Sequence, residues 1–569
     1  KAAEELRERI AGAAGREQAA LVTAGTFHSL GRSILKARAA EAGLPEDFII
    51  LDEEARAGIL EELVRGGREQ AAGRGKGRVS AGGLGRYIEG RKRLLLLPGD
   101  GALRLGPEAA ELLERAIRET VIPPPDSKLE PLYRDYRDRL KTIPALDFDD
   151  LLAGPVRLLA AKPGILAAYR EGFPYIFADE YQDINFAQYA LLRLLSPGPA
   201  EAGSPAENLP PSLPGAGSGE ICVIGDPNQA IYGFRGADKG FIDHFLADYP
   251  GAAVYRLAKS FRCAAPIIEA ASRLTGAALM GTELRETGGA PVSLYRSAYP
   301  SDKAEAEGIA RRIGGLIGGT GFFALDSGAA DPSAKGLISL GQCAILIRAG
   351  ALAPPIEKAL RDHGIPYRLI GEIPWWETEP ARSVLRLLRE ARRDADGGPP
   401  RIPQSPREAV EWAAGLVPEA GPGNSGGESL GRLRSLAANY QDLSALLDLL
   451  AMGSPGDGME GAAEEVSLMT IHASKGLEFD QVFVAGLEEG LLPFTLFDKD
   501  EDIEEERRLL YVAMTRARRG LHLSWASART FRGRKLALGP SRFLAGLEDL
   551  IPAANIEYRR EADPQPYLF

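Results

Sequence analysis

Short apolar runs alternate with longer stretches of helical character along most of the chain, and several of these runs predict strands. They lie at 174–180, 221–226, 343–348, 466–471, 481–486 and 521–525. The first two, PYIFADE and ICVIGD, are apolar up to their polar ends, so we expect these strands to be buried. Strands that alternate with helices predict an α/β protein with parallel sheets.

Other patterns predict helices and turns. Residues 21–35 predict a short strand, a polar turn and a helix, and residues 36–143 are mostly helical in character. Residues 185–195 predict a helix whose first residues, Asn185 to Gln188, are spaced as in a capping box.

Segments rich in Gly, Pro and Ser predict loops. Residues 196–219 predict a flexible loop, and residues 314–336 predict a surface insertion. From about 375 to 462 the composition is both helical and loop-rich.

Composition narrows the classes of protein. At roughly 150 residues per domain, 569 residues predict three or four domains. A net charge of −11 argues against a basic coat for nucleic acid but permits a local basic channel. The three cysteines and five histidines show neither zinc spacing nor a disulfide framework, so we expect a cytoplasmic protein. No apolar run approaches the ~20 residues of a membrane span, so we expect no membrane partner.

Two adjacent carboxylates, Asp179 and Glu180, end the first predicted strand, and Asp183 follows them. In open α/β sheets, ligands lie beyond the carboxyl ends of the strands. An aspartate there can hold Mg²⁺ through its water shell, and a neighbouring glutamate can orient or deprotonate a water. For a lone acidic pair, a solvated strand end without a ligand is an equally good interpretation.

Polar and aromatic residues follow the second predicted strand. Gln229 would lie just beyond it, where a side-chain amide could contact a terminal phosphate. Tyr232, Phe234 and Arg235 come next, and aromatic residues interleaved with a cation suit stacking on unpaired bases. Taken alone, such aromatic residues are more often part of a core.

The stretch at 504–520 predicts a helix with an arginine on its apolar face. Leu509, Val512, Ala513 and Arg516 fall at positions i, i+3, i+4 and i+7. A buried guanidinium needs an anionic partner, for which a phosphate is a good candidate. Without context, an arginine whose head reaches the surface is an equal alternative.

In this order, the motifs resemble those of the UvrD/Rep/PcrA family of superfamily 1 DNA helicases, and the resemblance covers nearly the whole chain. The segments that carry it are GTFHSLGRSIL at 25–35, FADEYQDIN at 177–185, VIGDPNQAIYGFRGAD at 223–238, LAKSFRC at 257–263, LMTIHASKGLEFDQVFVAGLEEGLLP at 468–493, EEERRLLYVAMTRARRGL at 504–521 and PSRFL at 540–544.

The resemblance implies an α/β fold of the P-loop NTPase class, with two RecA-like parallel-sheet lobes that each carry a mainly helical inserted subdomain. The first lobe would comprise residues 1–50 and 144–253, with residues 51–143 as its insertion. The second lobe would comprise residues 254–348 and 463–569, with a shortened insertion at 349–462.

The resemblance also implies an ATP site, with ATP and Mg²⁺ as cofactors. Asp179 would bind Mg²⁺, and Glu180 would be the catalytic base. Gln229 would sense the γ-phosphate, and Arg262 and Arg516 would be arginine fingers from the second lobe.

Two further residues would hold the nucleotide, and others would bind DNA. Phe261 would stack on adenine, and Glu478 would bind the ribose. The residues that the resemblance places along single-stranded DNA, or between the DNA and the nucleotide, are Thr26, Phe27, His28, Tyr232, Phe234, Arg235, His472 and Lys475.

The sequence departs from the family at Ser260, Phe261 and Cys263, where asparagine, tyrosine and serine are common. A larger departure is that the 569 residues contain no GxxxxGK[ST] phosphate loop. GAGSGE at 215–220 lacks the lysine, and GRGKG at 73–77 lacks the Ser or Thr. Because KAAEEL at 1–6 resembles a family segment that follows this loop, we expect the first lobe to be incomplete at its N-terminus and phosphate binding to be weak.

The expected function is therefore an ATP-dependent 3′→5′ single-stranded DNA translocase or helicase, inactive as an ATPase in this truncated form. Its expected partners are single-stranded DNA, single-strand to duplex junctions, and repair or replication proteins. The alternative is a nucleic-acid-binding scaffold with a dead ATP site. A helicase–nuclease ranks last, since no nuclease-like carboxylate and lysine cluster follows residue 521.

Overall fold

The computed structural model of the chain describes residues 2–70, 79–197, 220–277, 281–282, 292–317, 338–370, 375–393, 402–403, 405–417, 426–452, 464–496 and 502–554. The predicted flexible loop at 196–219 lies outside these residues from 198 onward, and most of the predicted insertion at 314–336 lies outside them too.

Helices and strands alternate along the described residues. The α-helices are α1 (Ala2–Ala14), α2 (Arg16–Ala20), α3 (Phe27–Ala37), α4 (Glu53–Gln70), α5 (Ala81–Arg93), α6 (Pro107–Leu112), α7 (Glu114–Glu119), α8 (Leu129–Thr142), α9 (Asp150–Ala161), α10 (Pro163–Gly172), α11 (Phe186–Leu195), α12 (Gly240–Asp243), α13 (Phe245–Asp248), α14 (Ala265–Thr275), α15 (Asp302–Leu316), α16 (Ala353–Asp362), α17 (Ala381–Arg393), α18 (Pro406–Ala414), α19 (Gly426–Ala437), α20 (Leu443–Met452) and α21 (Ile503–Met514). The strands are β1 (Ile49–Ile50), β2 (Ala145–Leu146), β3 (Tyr175–Ala178), β4 (Glu220–Val223), β5 (Lys259–Ser260), β6 (Gly281–Thr282), β7 (Ser293–Tyr299), β8 (Cys343–Ile347), β9 (Tyr367–Ile370), β10 (Val466–Thr470), β11 (Phe479–Ala485), β12 (Ala517–Ala526), β13 (Ala528–Phe531) and β14 (Arg534–Ala537).

The chain divides into two compact units. Unit 1 comprises Lys1–Pro227, Tyr232–Ala252 and Ile373–Asp457, and unit 2 comprises Asn228–Ile231, Ala253–Glu372 and Gly458–Phe569. The lobe and insertion boundaries expected from the sequence stay predictions.

Unit 2 is built on a parallel sheet. In its described part, six strands lie in the order β7-β12-β11-β8-β10-β9, and every pairing is parallel. Helices α15 and α16 pack on β8 and β10 around Ile345, Ile356 and Leu468, and α14 and α21 pack on β11 and β12. Every residue of β8 and β11 is buried, as is expected of parallel strands covered on both faces. The predicted α/β class is confirmed.

Unit 1 contains the parallel pair β3–β4. Ile176 and Ile221 pack against a core that α9 and α11 supply. The alternate side chains face the other way, and Tyr175 and Phe177 are 61% and 75% exposed. The prediction that these two strands are buried is therefore wrong, because strand side chains alternate between faces and no described element covers the second face.

Within unit 1, helices α4, α5 and α8 form a core of their own around Leu60, Leu84 and Tyr133. The sequence RYIEGRKR at 86–93 is rich in basic residues, and within it Lys92 is buried and lies 2.7 Å from the carboxylates of both Asp147 and Asp150. The charge of Lys92 is therefore compensated inside the fold and is not offered to solvent.

Residues 373–457 form another helical cluster of unit 1, in which α17 to α20 pack around Trp376, Leu388 and Leu446. Ion pairs join this cluster to the rest of the unit. Arg382 lies 2.9 Å from Glu54, and Arg32 lies 2.5 Å from Asp448.

Local predictions are confirmed in part. The capping box is present, since Asn185 Oδ1 accepts the Gln188 N–H at 3.1 Å and Gln188 Oε1 accepts the Asn185 N–H at 2.9 Å. The strand expected just before α3 is absent from residues 22–26. The helix expected at 504–520 is also too long, because α21 ends at Met514 and β12 begins at Ala517.

Among the described residues, no single helix is long and apolar enough to cross a membrane. In this described part of the chain, α9 and α10 taken together are the one pair that reaches the required length and hydropathy, and they are bent by 111° at their junction.

Candidate functional site

The acidic turn lies at the carboxyl end of β3. Asp179 and Glu180 are exposed, and Asp179 Oδ1 accepts the backbone N–H of Glu180 at 2.9 Å. Glu180 has a φ of 53°, in the left-handed region. For a residue other than glycine this conformation costs on the order of 1 kcal/mol or more, and such strain concentrates at functional sites.

Gln182 holds the acidic turn in place and was not predicted from the sequence. Its side chain is buried, and its amide N–H donates to the carboxylate of Glu180. Its Oε1 accepts the N–H of Asp226 at 3.1 Å, just beyond β4. Gly225 lets the two turns approach, because a Cβ there would lie 2.5 Å from Gln182 Oε1. The signal for Gln182 in the sequence was the position of its amide between acidic residues in DEYQD.

The acidic turn fits the expected Mg²⁺ ligation. Magnesium keeps several waters and usually takes one or two protein carboxylates together with substrate phosphates. Among the described residues, no group of three His, Cys, Asp or Glu side chains forms a protein metal cage. The exposed carboxylate of Asp179 at a strand end is consistent with a site that water and phosphate would complete.

In unit 2, the structure brings Gln229 and Arg516 together. Arg516 is only 1% exposed, so the alternative in which its head reaches the surface is wrong. It does not lie on the predicted helix face, because α21 has ended two residues before it. Its guanidinium donates to Gln229 Oε1 at 3.3 Å and to the carbonyls of Val512 and Leu477 at 3.1 and 3.2 Å.

Arg262 and Glu478 are also neighbours in unit 2. Arg262 Nε lies 2.6 Å from Glu478 Oε2, while Phe261 is about half exposed. Cys263 Sγ contacts the carbonyl of Thr515 at 3.4 Å, directly before Arg516. Four residues that the sequence assigned to the nucleotide, namely Gln229, Arg262, Glu478 and Arg516, are thereby linked by short connections.

Two more cations hold the backbone at Gln229. Lys475 Nζ donates to the Gln229 carbonyl at 2.7 Å, and Arg508 Nε donates to the Ala230 carbonyl at 2.7 Å. Arg508, on α21, was missed because neither its spacing nor its neighbours distinguish it in the sequence. His472 begins a 3₁₀ turn just beyond the carboxyl end of β10.

In unit 1, Tyr232, Phe234 and Arg235 form one group, which we call the 232–235 group. The rings of Tyr232 and Phe234 are 6.2 Å apart, and the Arg235 guanidinium lies 5.2 and 5.5 Å from them. Phe234 is 64% exposed. The alternative of a core position is therefore wrong for Phe234, and the group has the composition of a surface for stacking bases.

A second aromatic group lies near the start of α3. Thr26 caps the helix, since its Oγ1 accepts the Ser29 N–H at 3.2 Å, and Phe27 is partly buried. The His28 ring stacks on Phe148 with 3.6 Å between ring centres. Burial, with a smaller effect of the Arg93 charge, lowers the pKa of His28 to about 3, so the ring is neutral at physiological pH.

Phe148 was missed by the sequence reasoning. Its ring is 39% exposed beside His28, so the two form a second surface that can stack bases, which we call the 28/148 pair. In the sequence, the only signal for Phe148 was the position of this aromatic residue directly before Asp149 and Asp150.

The six-stranded parallel sheet of unit 2 and the parallel pair β3–β4 of unit 1, both packed against helices, define an α/β protein and are consistent with the RecA-like, P-loop NTPase class. The model of the UvrD/REP helicase N-terminal domain matches residues 1–250, and that of the UvrD-like helicase C-terminal domain matches residues 430–528. The chain belongs to the UvrD-like helicase family.

Relatives across bacteria match nearly the whole chain. DNA helicase II of Escherichia coli is 29% identical over 96% of this chain and 80% of its own length. ATP-dependent DNA helicase UvrD1 of Mycobacterium tuberculosis is 30% identical over 100% of this chain and 79% of its own. ATP-dependent DNA helicase PcrA of Leuconostoc citreum is 26% identical over 96% and 77%.

Proposed function

We propose that this chain is the body of an ATP-dependent motor that moves 3′→5′ along single-stranded DNA and opens single-strand to duplex junctions. The observation that carries the proposal is the cluster of Gln229, Arg262, Glu478 and Arg516 in unit 2. The buried guanidinium of Arg516 is held in place by carbonyls and an amide, and a guanidinium in such a position suits an anion such as a phosphate. The names of the relatives, which are DNA helicases, support it.

Each residue of the proposed ATP site has a distinct task. ATP supplies the phosphoryl group, and Mg²⁺ would neutralise its charge at Asp179. Glu180, held by Gln182, would orient or deprotonate the attacking water. Arg262 and Arg516 would offset charge that develops on the phosphates.

The remaining residues of the proposed ATP site would bind the nucleotide and sense its γ-phosphate. Gln229 would contact the γ-phosphate, Phe261 would stack on adenine, and Glu478 would bind the ribose. Lys475 and Arg508 would fix the Gln229 segment by holding two consecutive carbonyls. A hydrogen bond from a charged donor is worth about 1.5–3 kcal/mol, so together they constrain this segment strongly.

The DNA would lie on the 28/148 pair and the 232–235 group. Neutral His28 and the exposed rings of Phe148 and Phe234 offer apolar faces to bases, and Arg235 offers a cation to the backbone. Thr26, Phe27 and His472 complete the proposed DNA contacts. Repair or replication proteins are the proposed protein partners.

The first experiment measures ATP hydrolysis by the 569 residues, with and without oligo-dT, beside a form with the strand and phosphate loop of a homologous helicase joined in front of Lys1. Because no GxxxxGK[ST] occurs in the 569 residues, we expect turnover only in the joined form and stimulation by DNA. If neither form turns over although both bind oligo-dT, the scaffold with a dead ATP site is the better proposal.

A second experiment tests the DNA surface directly. Phe234→Ala should weaken oligo-dT binding by the ~1–3 kcal/mol of one base stack, or roughly 5- to 150-fold in the dissociation constant. The matched control is Tyr175→Ala, which removes an equally exposed ring at the amino end of β3. An unchanged dissociation constant for Phe234→Ala would count against the proposed platform.

A further inference from the structure

Arg93, the last residue of α5, lies between the two aromatic groups of unit 1. Its Nη1 donates to the carbonyl of Arg235 at 2.7 Å, and its Nε lies 3.1 Å from Asp149 Oδ1. Its Nη2 lies 3.4 Å from Glu89 on the preceding turn of the same helix. One guanidinium thus binds two loops that are far apart in the sequence.

Each of these loops carries one aromatic group. Asp149 follows Phe148 of the 28/148 pair, and Arg235 follows Phe234 of the 232–235 group. The contacts of Arg93 therefore join the two groups through the residues directly next to their exposed rings. The charged guanidinium of Arg93 is the donor in both bonds, to the Asp149 carboxylate and to the Arg235 carbonyl, and bonds from a charged donor are stronger than neutral ones.

The stem of Arg93 also packs closely on the second loop. Gly236 has a φ of 81°, and a Cβ there would lie 3.3 Å from Arg93 Cδ. The loop is closed by backbone bonds from the Arg235 and Ala237 N–H groups to the Tyr232 carbonyl, at 2.9 and 3.1 Å. Glycine at 236 therefore serves both the turn and the close approach of Arg93.

We propose that Arg93 is a positioning residue that fixes the spacing of the 28/148 pair and the 232–235 group, and thereby sets the affinity for single-stranded DNA. This inference rests on the proposed function. Successive bases stack only if the rings are held at the separation that the strand's backbone allows, so loss of the brace should weaken binding although Arg93 itself touches no base.

A direct contact between Arg93 and a DNA phosphate is the competing explanation, since the side chain is 22% exposed. The two differ in salt dependence. Removing one phosphate contact to single-stranded DNA lowers the slope of log affinity against log salt by about 0.7. Removing a positioning residue weakens binding at every salt concentration and leaves that slope unchanged.

The test compares Arg93→Gln with Arg86→Gln in the full 569-residue chain, by fluorescence anisotropy with labelled oligo-dT across a salt series. Arg86 is an exposed residue of the same helix, so the control loses the same charge. We expect Arg93→Gln to bind about five- to tenfold more weakly, at the lower end of one base stack, with an unchanged salt slope. Arg86→Gln should bind as the parent does.

Hydrogen exchange of the DNA-free protein gives a second readout. The amides of Arg235, Gly236 and Ala237 should exchange faster in Arg93→Gln, while those of β10 and β11 in unit 2 stay protected. Asp149→Ala, which removes the acceptor of the other anchor, should weaken oligo-dT binding in the same direction. Arg93→Lys, which keeps the charge but has one nitrogen for two acceptors, should fall between parent and Arg93→Gln.

The outcomes separate this inference from the proposed function. If Phe234→Ala weakens binding and Arg93→Gln does not, the positioning role is refuted. A salt slope lowered by about 0.7 in Arg93→Gln refutes it in favour of a phosphate contact. If Phe234→Ala itself has no effect, the proposed DNA platform fails, and the affinity part of this inference fails with it.

Discussion

Arg529 in unit 2 offers a sharp test of how the loops at the carboxyl edge of the six-stranded sheet are held. Its guanidinium contacts the carboxylates of Glu305 and Glu488, with Nε and Nη2 each 2.7 Å from Glu488. Both carboxylates are 1% exposed or less. Glu305 also accepts the Gly486 N–H, and Glu488 accepts the Ala526 N–H, so the network fastens β11 and β12 at their ends.

Arg529→Met removes the cation and leaves two carboxylates buried. Removing one partner of a buried ion pair costs about 3–5 kcal/mol, because the remaining charge is uncompensated. Burial raises the pKa of Glu488 even in the presence of Arg529, and without the cation it should rise further. An acid whose folded pKa exceeds its unfolded value binds protons more readily when folded, so stability falls as pH rises through the folded pKa.

The expected result is a loss of about 3–5 kcal/mol at pH 8 that becomes smaller at pH 5.5. The assay is urea unfolding followed by the emission of Trp525 on β12, with Trp375, Trp376 and Trp412 replaced by phenylalanine. Differences between variant and parent at each pH cancel the titration of other groups.

The control adds Glu305→Gln and Glu488→Gln to Arg529→Met, which removes the buried charges and should recover much of the stability and abolish the pH dependence. A loss of less than about 1 kcal/mol at pH 8, or a loss independent of pH, would show that the carboxylates are not buried as charges.

Three further predictions concern other parts of the molecule. His522 stacks on Phe483 at 4.5 Å, and burial, with repulsion from Arg312, lowers its pKa to about 3. Its folded form resists protonation, so His522→Phe should lose less stability than the parent as pH falls from 6.5 towards 3, by up to a few kcal/mol in urea titrations. Asn185→Ala breaks the capping box and should cost about 1 kcal/mol in thermal unfolding, whereas an unchanged melting temperature would refute that role. In the form joined to a phosphate loop, Glu180→Gln should keep nucleotide affinity but abolish turnover, and equal hydrolysis rates would exclude it as the base.

Four of the six described strands of the unit 2 sheet could be predicted because they are largely buried, whereas the partly exposed edge strands β7 and β9 were not predicted. Continuous apolar runs at β8, β10, β11 and β12 have few other interpretations once helices separate them. The same signal failed at β3 and β4, where an equally apolar run includes the exposed Tyr175 and Phe177. An apolar run indicates that burial of its side chains is favourable. It does not indicate which element of the fold buries them.

Helix periodicity correctly predicted that Arg516 is buried, but the reason it gave was wrong. The i, i+3, i+4, i+7 pattern predicted a longer helix, but parallel pairing of β12 with β11 begins at Ala517 and ends the helix, and pairing with β7 follows from Gly520. Arg516 is buried because its chain turns from α21 into the sheet. Pairing between strands far apart in the sequence overrides local propensity here.

Two of the residues that sequence reasoning missed, Arg93 and Arg508, act through contacts that are distant in the sequence. Arg93 meets Arg235 across 142 positions, and Arg508 meets Ala230 across 278. A motif records residues that are close in sequence, so it indicated Gln229, Phe234 and Arg235 but not the cations that hold their backbone.

Glu180 shows why the acidic motif is more specific in the structure than in the sequence. An acidic pair at a strand end could equally be solvated, and the motif alone does not distinguish the two cases. A solvated carboxylate has no need of a left-handed backbone, which costs free energy in a residue other than glycine. Nor does it need a buried amide, yet Gln182 is buried with its N–H on Glu180 and its oxygen on the Asp226 N–H. The strained turn is held by the buried side chain of Gln182, and Gly225 lets it approach the turn after β4. These contacts hold the Glu180 carboxylate in one orientation. That restraint supports the proposal that Glu180 acts as the general base and is not expected of a solvated strand end.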